Sequence, residues 1–119
     1  MPTNREIAEA LSGHRFEDAL PFVAADAEWM LIGDGALSGA DAIAAACRST
    51  AAELADAHSE FVRFDVVDGG DVVVVDALGV YTDAGGDATS VASCDLYRFR
   101  DGLIVGIRSY TVEVALDQA

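Results

Sequence analysis

The stretch "VASCDLYRFRDGLIVGIRSY", residues 91–110, has the pattern of two β-strands joined by a tight turn. The turn "RDG" at residues 100–102 carries residue types that close hairpins, and the flanking segments are rich in β-branched and aromatic residues. Asp95 interrupts the first strand, between Cys94 and Leu96. A strand buried on both faces would carry an apolar side chain there. The hairpin therefore indicates the fold type, and Asp95 marks a candidate site.

Strand patterns continue on the N-terminal side of this hairpin. Short glycine-containing turns, "DGG" (68–70) and "DAGGD" (83–87), separate the apolar segments, and turns of this kind join antiparallel neighbours. The second half of the chain therefore predicts a meander of four strands, at residues 60–67, 71–82, 88–100 and 103–114.

The first half of the chain carries helical patterns. Thr3 and Glu6 have the spacing of a capping box, and Ser38 and Asp41 repeat that spacing before an alanine-rich run. We therefore predict a first helix at 4–11, a short helical segment around 16–23, a strand at 27–32 and a long helix over 42–57.

The order of these elements, helices first and an antiparallel meander last, predicts an α+β fold with the helices on one face of a curved sheet. The length of 119 residues suits a single domain over residues 1–119. The segment "VVVVDALGVY" (72–81) is apolar on both faces. The helices cover only one of them, so we expect a homodimer to cover the other.

Composition restricts the class of protein. The formal net charge is −14, from 21 acidic and 7 basic residues, which disfavours binding to nucleic acid or to an anionic membrane surface. The sequence contains no apolar run of the ~20 residues that a membrane span needs, and its start does not resemble a signal peptide. We expect a cytoplasmic protein. Two cysteines and two distant histidines predict no metal site.

Four features together resemble the SnoaL-like branch of the nuclear transport factor 2-like superfamily. They are "EALSGHRFEDALPFVAADAEW" (9–29), "GALSGADAI" (35–43), "CDLYRFRDGLIVGIRSY" (94–110) and the order of the strands. The resemblance implies a cone-shaped, strongly curved sheet with helices closing one side around a deep apolar pocket, and a dimer. The superfamily includes isomerases, epoxide hydrolases, polyketide cyclases, dehydratases and non-catalytic modules, so the fold does not specify a reaction.

Asp95 is the leading candidate for a catalytic residue. The resemblance aligns it with the oxyanion-hole acid of ketosteroid isomerases, within a "D-x-x-R-F" pattern that Arg98 and Phe99 complete. Desolvation would favour a neutral carboxyl that donates to a carbonyl, whereas an ionised Asp95 would act as a base. A purely structural hydrogen bond to a neighbouring Tyr, Trp or Ser is the third reading. The isomerase tyrosine aligns near Ile7, so steroid isomerisation is not expected.

Asp76 is the second candidate acid. It aligns with one member of the epoxide hydrolase triad, but Val74 and Ser109 replace the arginine and the other aspartate, so that reaction is not expected. Asp76 could point into the pocket and form an acid–base pair with Asp95. Alternatively it faces outward or a dimer interface, paired with Arg63 or Arg108.

Other side chains are expected to share the pocket with Asp95. Strand alternation places Tyr97 on the same face, where it could assist catalysis. We expect His14, between two helices, to be exposed to solvent. The expected ligand contacts are Trp29, Leu31, Phe64, Ser93, Ile107 and Ser109.

Two hypotheses follow for the function. The first is a cofactor-free isomerase, cyclase or dehydratase that transfers protons on a small apolar or weakly polar ligand, with Asp95 as the main acid or base and Asp76 or Tyr97 assisting. The second is a non-catalytic dimeric module that binds a ligand or a protein through the same cone. An accessible pocket with both acids inside favours the enzyme, and a cone filled by aromatic side chains such as Phe61 and Phe64 favours the module.

Overall fold

The computed structural model describes residues 1–115 and 117, and over this range the helices precede most of the strands. The elements are α1 (Asn4–Ser12), α2 (Phe16–Ala19), a short 3₁₀ turn (Leu20–Phe22), β1 (Val23–Leu31), β2 (Gly35–Ser38), α3 (Ala40–Leu54), β3 (His58–Asp68), β4 (Val72–Thr82), β5 (Ala88–Arg100) and β6 (Leu103–Val114).

The strands of the described residues form one curved sheet in the order β2-β1-β6-β5-β4-β3. Strand β1 runs parallel to β6, and the other neighbours are antiparallel. The predicted α+β class and the meander of the last four strands are confirmed. The parallel pair brings the first strand of the chain beside the last, which places Trp29 opposite Ile107 and Leu31 opposite Ser109.

Helix α1 begins at the predicted capping box. The Glu6 backbone N–H donates to the Thr3 hydroxyl at 3.1 Å, and the Thr3 N–H donates to the Glu6 carboxylate at 3.0 Å. Two otherwise unpaired donors of the helix end are thereby satisfied. The helix buries Ile7 and Leu11 against the sheet and ends one residue beyond the predicted boundary, so that Ser12 belongs to its last turn.

The predicted start of the long helix is wrong in its detail. Ser38 lies in the short strand β2, and the residue before α3 is Gly39, with a φ of 93° and no side-chain cap. The Gly39 N–H donates to the backbone oxygen of Ala27 at 2.7 Å, which ties the start of α3 to β1. A left-handed backbone at this junction favours glycine. Helix α3 then buries Ile43 and Cys47 against the sheet.

Strand β2 has no signature in the sequence. Its four residues "GALS" lack an alternating pattern, and they form a strand because the turn after β1 lays them along that strand, with Leu31 opposite Gly35 and Glu28 opposite Ser38. Strand β1 also begins earlier than the apolar run predicts, at Val23, and its pairing with β6 is interrupted between Val23 and Glu28.

The two faces of the sheet have different environments. The inner face meets α1 and α3 and carries Val73, Val75 and Tyr97, each fully buried. The outer face carries Met30, Val67, Tyr110 and Val112, which are between 46% and 65% exposed. Among the described residues, each helix is too short or too polar to span a lipid bilayer.

Candidate functional site

A cavity of about 330 Å³ lies between the helices and the inner face of the sheet. Apolar and aromatic side chains make up much of its wall: Leu11, Phe16, Trp29, Leu31, Leu37, Ala46, Phe61, Tyr81 and Val91. The remaining lining residues are Ser12, His14, Cys47, Thr50, Ser93, Asp95, Ser109 and Thr111. Of these described residues, Asp95 is the one carboxylate, and no lysine or arginine is among them.

Asp95 accepts hydrogen bonds at both of its carboxylate oxygens. The hydroxyl of Ser12, in the last turn of α1, donates to Oδ2 at 2.7 Å. The hydroxyl of Ser109, directly opposite Asp95 on β6, donates to Oδ1 at 2.6 Å. The half-buried carboxylate is therefore fixed from a helix and from the neighbouring strand.

Trp29 and Tyr97 form the two ends of this series of hydrogen bonds, and their bonds show which group donates at each step. The Trp29 indole N–H donates to the Ser109 hydroxyl at 2.9 Å, and an indole nitrogen cannot accept. The Ser109 hydroxyl therefore accepts from Trp29 and donates its one proton to Asp95. On the other side Ser12 lies 2.6 Å from the Tyr97 hydroxyl. Since Ser12 donates to Asp95, Tyr97 donates to Ser12.

This pattern bears on the chemical role of Asp95. Burial raises the pKa of the Tyr97 hydroxyl well above its usual value, and the negative charge of Asp95 adds to the effect, so Tyr97 keeps its proton. Both Asp95 oxygens then face donors, which is the arrangement that suits a carboxylate. The geometry favours Asp95 as a proton acceptor over Asp95 as a hydrogen-bond donor to a carbonyl.

The remaining residues expected at the site divide into two groups. Trp29, Leu31, Ser93 and Ser109 line the cavity. Three others are packed behind its wall: Tyr97, fully buried and joined to Asp95 through Ser12; Ile107, 3% exposed; and Phe64, which packs edge-on against Phe61 with 5.0 Å between ring centroids.

Asp76 does not enter the cavity. On β4 its neighbours Val75 and Ala77 take the inward positions, so Asp76 lies on the outer face, opposite Cys94 of β5. Its side chain is 51% exposed, and its carboxylate lies 3.4 Å from the Arg63 guanidinium. Of the two alternatives for Asp76, the structure has the outward one, paired with Arg63, and the inward pair with Asp95 does not form. Because this strand is apolar on both faces, its sequence does not reveal which alternate set points inward.

His14 is not exposed as expected, because its ring lines the cavity. Its backbone lies in the left-handed region, with a φ of 64°, two residues after α1 ends. The ring packs against Phe16, Phe61 and Tyr81, with centroid separations of 5.6, 5.5 and 5.8 Å. Burial lowers the pKa of His14, and the charge of Asp95 opposes this only in part. His14 is therefore uncharged at neutral pH.

Two further cavity residues keep their protons at neutral pH. Burial raises the pKa of the Cys47 thiol to about 11, which makes a thiolate nucleophile unfavourable there. Burial, together with the charge of Asp95, raises the pKa of the Tyr81 hydroxyl. Within the described residues, no three metal-ligating side chains come together.

Comparison with known proteins identifies the family. A family model described as the SnoaL-like domain matches residues 4–107. The chain belongs to the SnoaL-like domain family. No curated protein matches it. Among solved structures, an NTF2-like protein of unknown function from Cytophaga hutchinsonii is 26% identical, with a TM-score of 0.78, and the match covers 89% of this chain and 93% of that one.

Two more distant structures share the fold of this SnoaL-like protein. A hypothetical protein with a ketosteroid isomerase-like fold from Catenulispora acidiphila, in complex with trimethylamine, is 22% identical, with a TM-score of 0.66 and coverage of 92% and 86%. A candidate SnoaL-like polyketide cyclase from Jannaschia sp. CCS1 is 16% identical, with a TM-score of 0.67 and coverage of 88% and 81%. These two similarities confirm the fold that the sequence resembles. The match to the family model confirms the predicted SnoaL-like branch.

The hydrogen-bond chain predicts coupled effects on stability. Ser12→Ala leaves the buried Tyr97 hydroxyl without its acceptor, and we expect a loss of about 1–3 kcal/mol in the free energy of unfolding. Tyr97→Phe removes that hydroxyl, so the double variant should lose less than the sum of the two single variants. Urea unfolding of the four proteins measures this. Ser93→Ala, at a cavity position outside the chain of hydrogen bonds, should change stability by less than about 0.5 kcal/mol. Additive losses would contradict the coupling.

The burial of His14 predicts a pH dependence of stability. Its folded pKa lies below the ordinary value of 6.5, so the unfolded chain binds more protons in the interval between the two. The contribution of His14 to stability is therefore full above about pH 6.5 and is lost as the pH falls towards the folded pKa. Urea unfolding at several pH values should show this loss, and His14→Asn, which tolerates the left-handed backbone, should reduce it. An NMR titration midpoint for His14 above 6.5 would contradict the prediction.

Proposed function

We propose that this SnoaL-like protein binds a small, weakly polar carbonyl compound in its cavity and transfers a proton at the carbon next to the carbonyl, without a cofactor. Asp95 is the base. The observation that carries the proposal is the Asp95 carboxylate, which lines a largely apolar cavity and accepts hydrogen bonds from Ser12 and Ser109.

The hydrogen bonds of Asp95 leave it able to accept a proton. Each carboxylate oxygen has two lone-pair directions, and the described protein groups occupy one on each oxygen. A base fixed on two sides also needs little reorganisation when a substrate arrives. Tyr97, through Ser12, and Trp29, through Ser109, hold the carboxylate in position.

The size and polarity of the cavity restrict the ligand. A volume of about 330 Å³ is at the lower end of the range for small-molecule sites, which suits a compact cyclic molecule. The aromatic rings of Trp29, Phe16 and Phe61 offer apolar stacking surfaces. A molecule with one carbonyl and few other polar groups leaves the fewest of its own groups without partners.

The proton balance of the reaction needs no added reagent. Asp95 removes a proton from carbon, and the electron pair moves to the carbonyl oxygen to form an enolate. Return of the proton from Asp95 to another carbon gives an isomerase. In a cyclase the enolate carbon attacks a second carbonyl, and Asp95 returns the proton to the alkoxide that forms. The candidate polyketide cyclase among the structural relatives supports this class of chemistry.

Hydrogen–deuterium exchange tests the base directly. With 2-tetralone as probe, a small bicyclic ketone with acidic C–H bonds, the wild-type protein should accelerate exchange with D₂O, measured by proton NMR. Asp95→Asn should lower the protein-dependent rate by about 100-fold or more, the usual size of a general-base contribution.

Two controls complete this experiment. Asp26→Asn removes an exposed acid of β1 and should leave the exchange rate unchanged. The urea midpoint of Asp95→Asn shows whether that variant is folded. Equal exchange rates for wild type and folded Asp95→Asn, or no acceleration by the wild type, would contradict the proposed reaction.

We also propose that the protein is a homodimer that buries the outer face of the sheet. Met30, Val67, Tyr110 and Val112 expose apolar surface there. The Nε atom of Arg108, on the same face, is buried without a hydrogen-bond partner among the described residues. Apolar side chains together with an unpaired guanidinium nitrogen are features that a second copy of the chain could satisfy.

Sedimentation equilibrium tests the dimer. The wild type should sediment with twice the chain mass, because removal of the exposed apolar side chains from water stabilises the pair. Val112→Glu places two buried charges in the interface and should shift the protein to a monomer. A wild-type monomer at micromolar concentration would contradict the proposal.

A further inference from the structure

Two aromatic side chains of the cavity wall that carry polar groups, His14 and Tyr81, take no part in the Asp95 hydrogen bonds. These hydrogen bonds connect Tyr97, Ser12, Asp95, Ser109 and Trp29 in series, and neither His14 nor Tyr81 takes part in them. Both residues line the same cavity as Asp95. Within the described residues, neither the His14 ring nor the Tyr81 hydroxyl has a hydrogen-bond partner, so each has a donor free for a ligand.

The His14 ring is held firmly at its position. The residue adopts a left-handed backbone, which is uncommon for residues other than glycine, and such backbones concentrate at functional sites. Three aromatic side chains, Phe16, Phe61 and Tyr81, contact the ring. The ring is therefore fixed by packing, and its nitrogen atoms are not engaged by the protein.

The Tyr81 ring depends on a glycine two residues earlier in β4. A Cβ atom at Gly79 would lie 2.7 Å from the Tyr81 hydroxyl oxygen and 2.9 Å from the ring carbon that bears it. Glycine weakens a strand interior. At this position it permits the ring of Tyr81, a residue of the cavity wall, to lie across the backbone.

The charges around the cavity fit a donor role for both groups. Burial lowers the pKa of His14 and raises the pKa of Tyr81, so both are neutral and carry a proton at neutral pH. The described cavity wall has no lysine or arginine. A negative charge that develops on a ligand there would have to be stabilised by neutral donors.

We propose that His14 and Tyr81 are further catalytic residues, the hydrogen-bond donors to the oxygen of the enolate that forms when Asp95 removes a proton. The substrate is then a ketone or ester whose carbonyl oxygen lies at His14 and Tyr81 and whose acidic C–H bond lies at Asp95. This inference rests on the proposed function, because it assigns the second half of the same site.

The electron and proton balance of this step is complete within the cavity. The C–H bond breaks, its proton bonds to an Asp95 oxygen, and its electron pair becomes the new C=C bond while the carbonyl π pair moves to oxygen. The negative charge passes from Asp95 to the enolate oxygen. The cavity holds one negative charge before and after the step, and the two neutral donors of its wall would stabilise the oxygen where charge develops.

Binding of 4-nitrophenolate tests the donor pair without any catalytic turnover. This planar oxyanion resembles an enolate, and Asp95→Asn resembles the state in which Asp95 has accepted its proton. The Asp95→Asn protein should bind the phenolate, measured by its visible absorbance at a pH where the probe is ionised. Adding Tyr81→Phe or His14→Asn should weaken binding by about tenfold or more, the usual effect of losing a hydrogen bond to a charged group.

Matched controls separate loss of a donor from a general effect of substitution. Tyr110→Phe removes a hydroxyl on the outer face, and His58→Asn removes an exposed histidine; both should leave phenolate binding within about twofold of the parent. Gly79→Ala keeps the Tyr81 hydroxyl but displaces its ring, and it should weaken binding as Tyr81→Phe does. Urea midpoints identify folded variants.

The outcomes separate this inference from the proposed function. With 2-tetralone, Tyr81→Phe and His14→Asn should lower kcat for deuterium exchange about tenfold or more and change KM much less, since enolate charge exists only beyond the ground state. If exchange is unchanged in these variants but lost in Asp95→Asn, the assignment of Asp95 as the base stands and the assignment of His14 and Tyr81 as donors is overturned. Absence of phenolate binding to Asp95→Asn, or undiminished binding in either double variant, would overturn it as well.

Discussion

The two hydrogen bonds that Asp95 accepts, from Ser12 and from Ser109, are the constraint on which the site depends. They join the last turn of α1 to β5 and β6, and each is supported by a donor behind it, Tyr97 on one side and Trp29 on the other. Burial of a single acidic group in an apolar wall costs free energy unless hydrogen bonds from the protein replace those that water made to it. The arrangement of the helix end and the parallel β1–β6 pair supplies these bonds.

The sequence predicts the fold well, for physical reasons that are local. A capping box starts α1, and glycine-containing turns close three hairpins, so the α+β class and the meander follow from short stretches of chain. Alternation along β5 and β6 likewise places Asp95 and Ser109 on one face. Strand β2 could not be predicted, since its pairing with β1 depends on the path of the turn and not on its own four residues.

The other half of the cavity wall is harder to predict from the sequence. Ser12 and His14 lie at a helix end and in a left-handed turn, where residue spacing carries no information about which way a side chain points. The direction of the Asp76 side chain is hard to predict for a different reason. Because "VVVV" (72–75) is apolar on both faces, strand alternation alone does not show on which face of the sheet Asp76 lies. The pairing with β5 resolves it, and places Asp76 beside Arg63 on the outer face.

The sequence separation of the Asp95 partners has a consequence for how the protein matures. Ser12 lies 83 residues from Asp95, and Trp29 lies 80 residues from Ser109. Closing such long loops carries an entropic cost that is met only when most of the native structure has formed, and contacts of this kind slow folding. During synthesis the N-terminal residues of the site emerge long before the strands that complete it. The acid therefore gains its hydrogen bonds late in folding, and an intact site reports a fully folded chain.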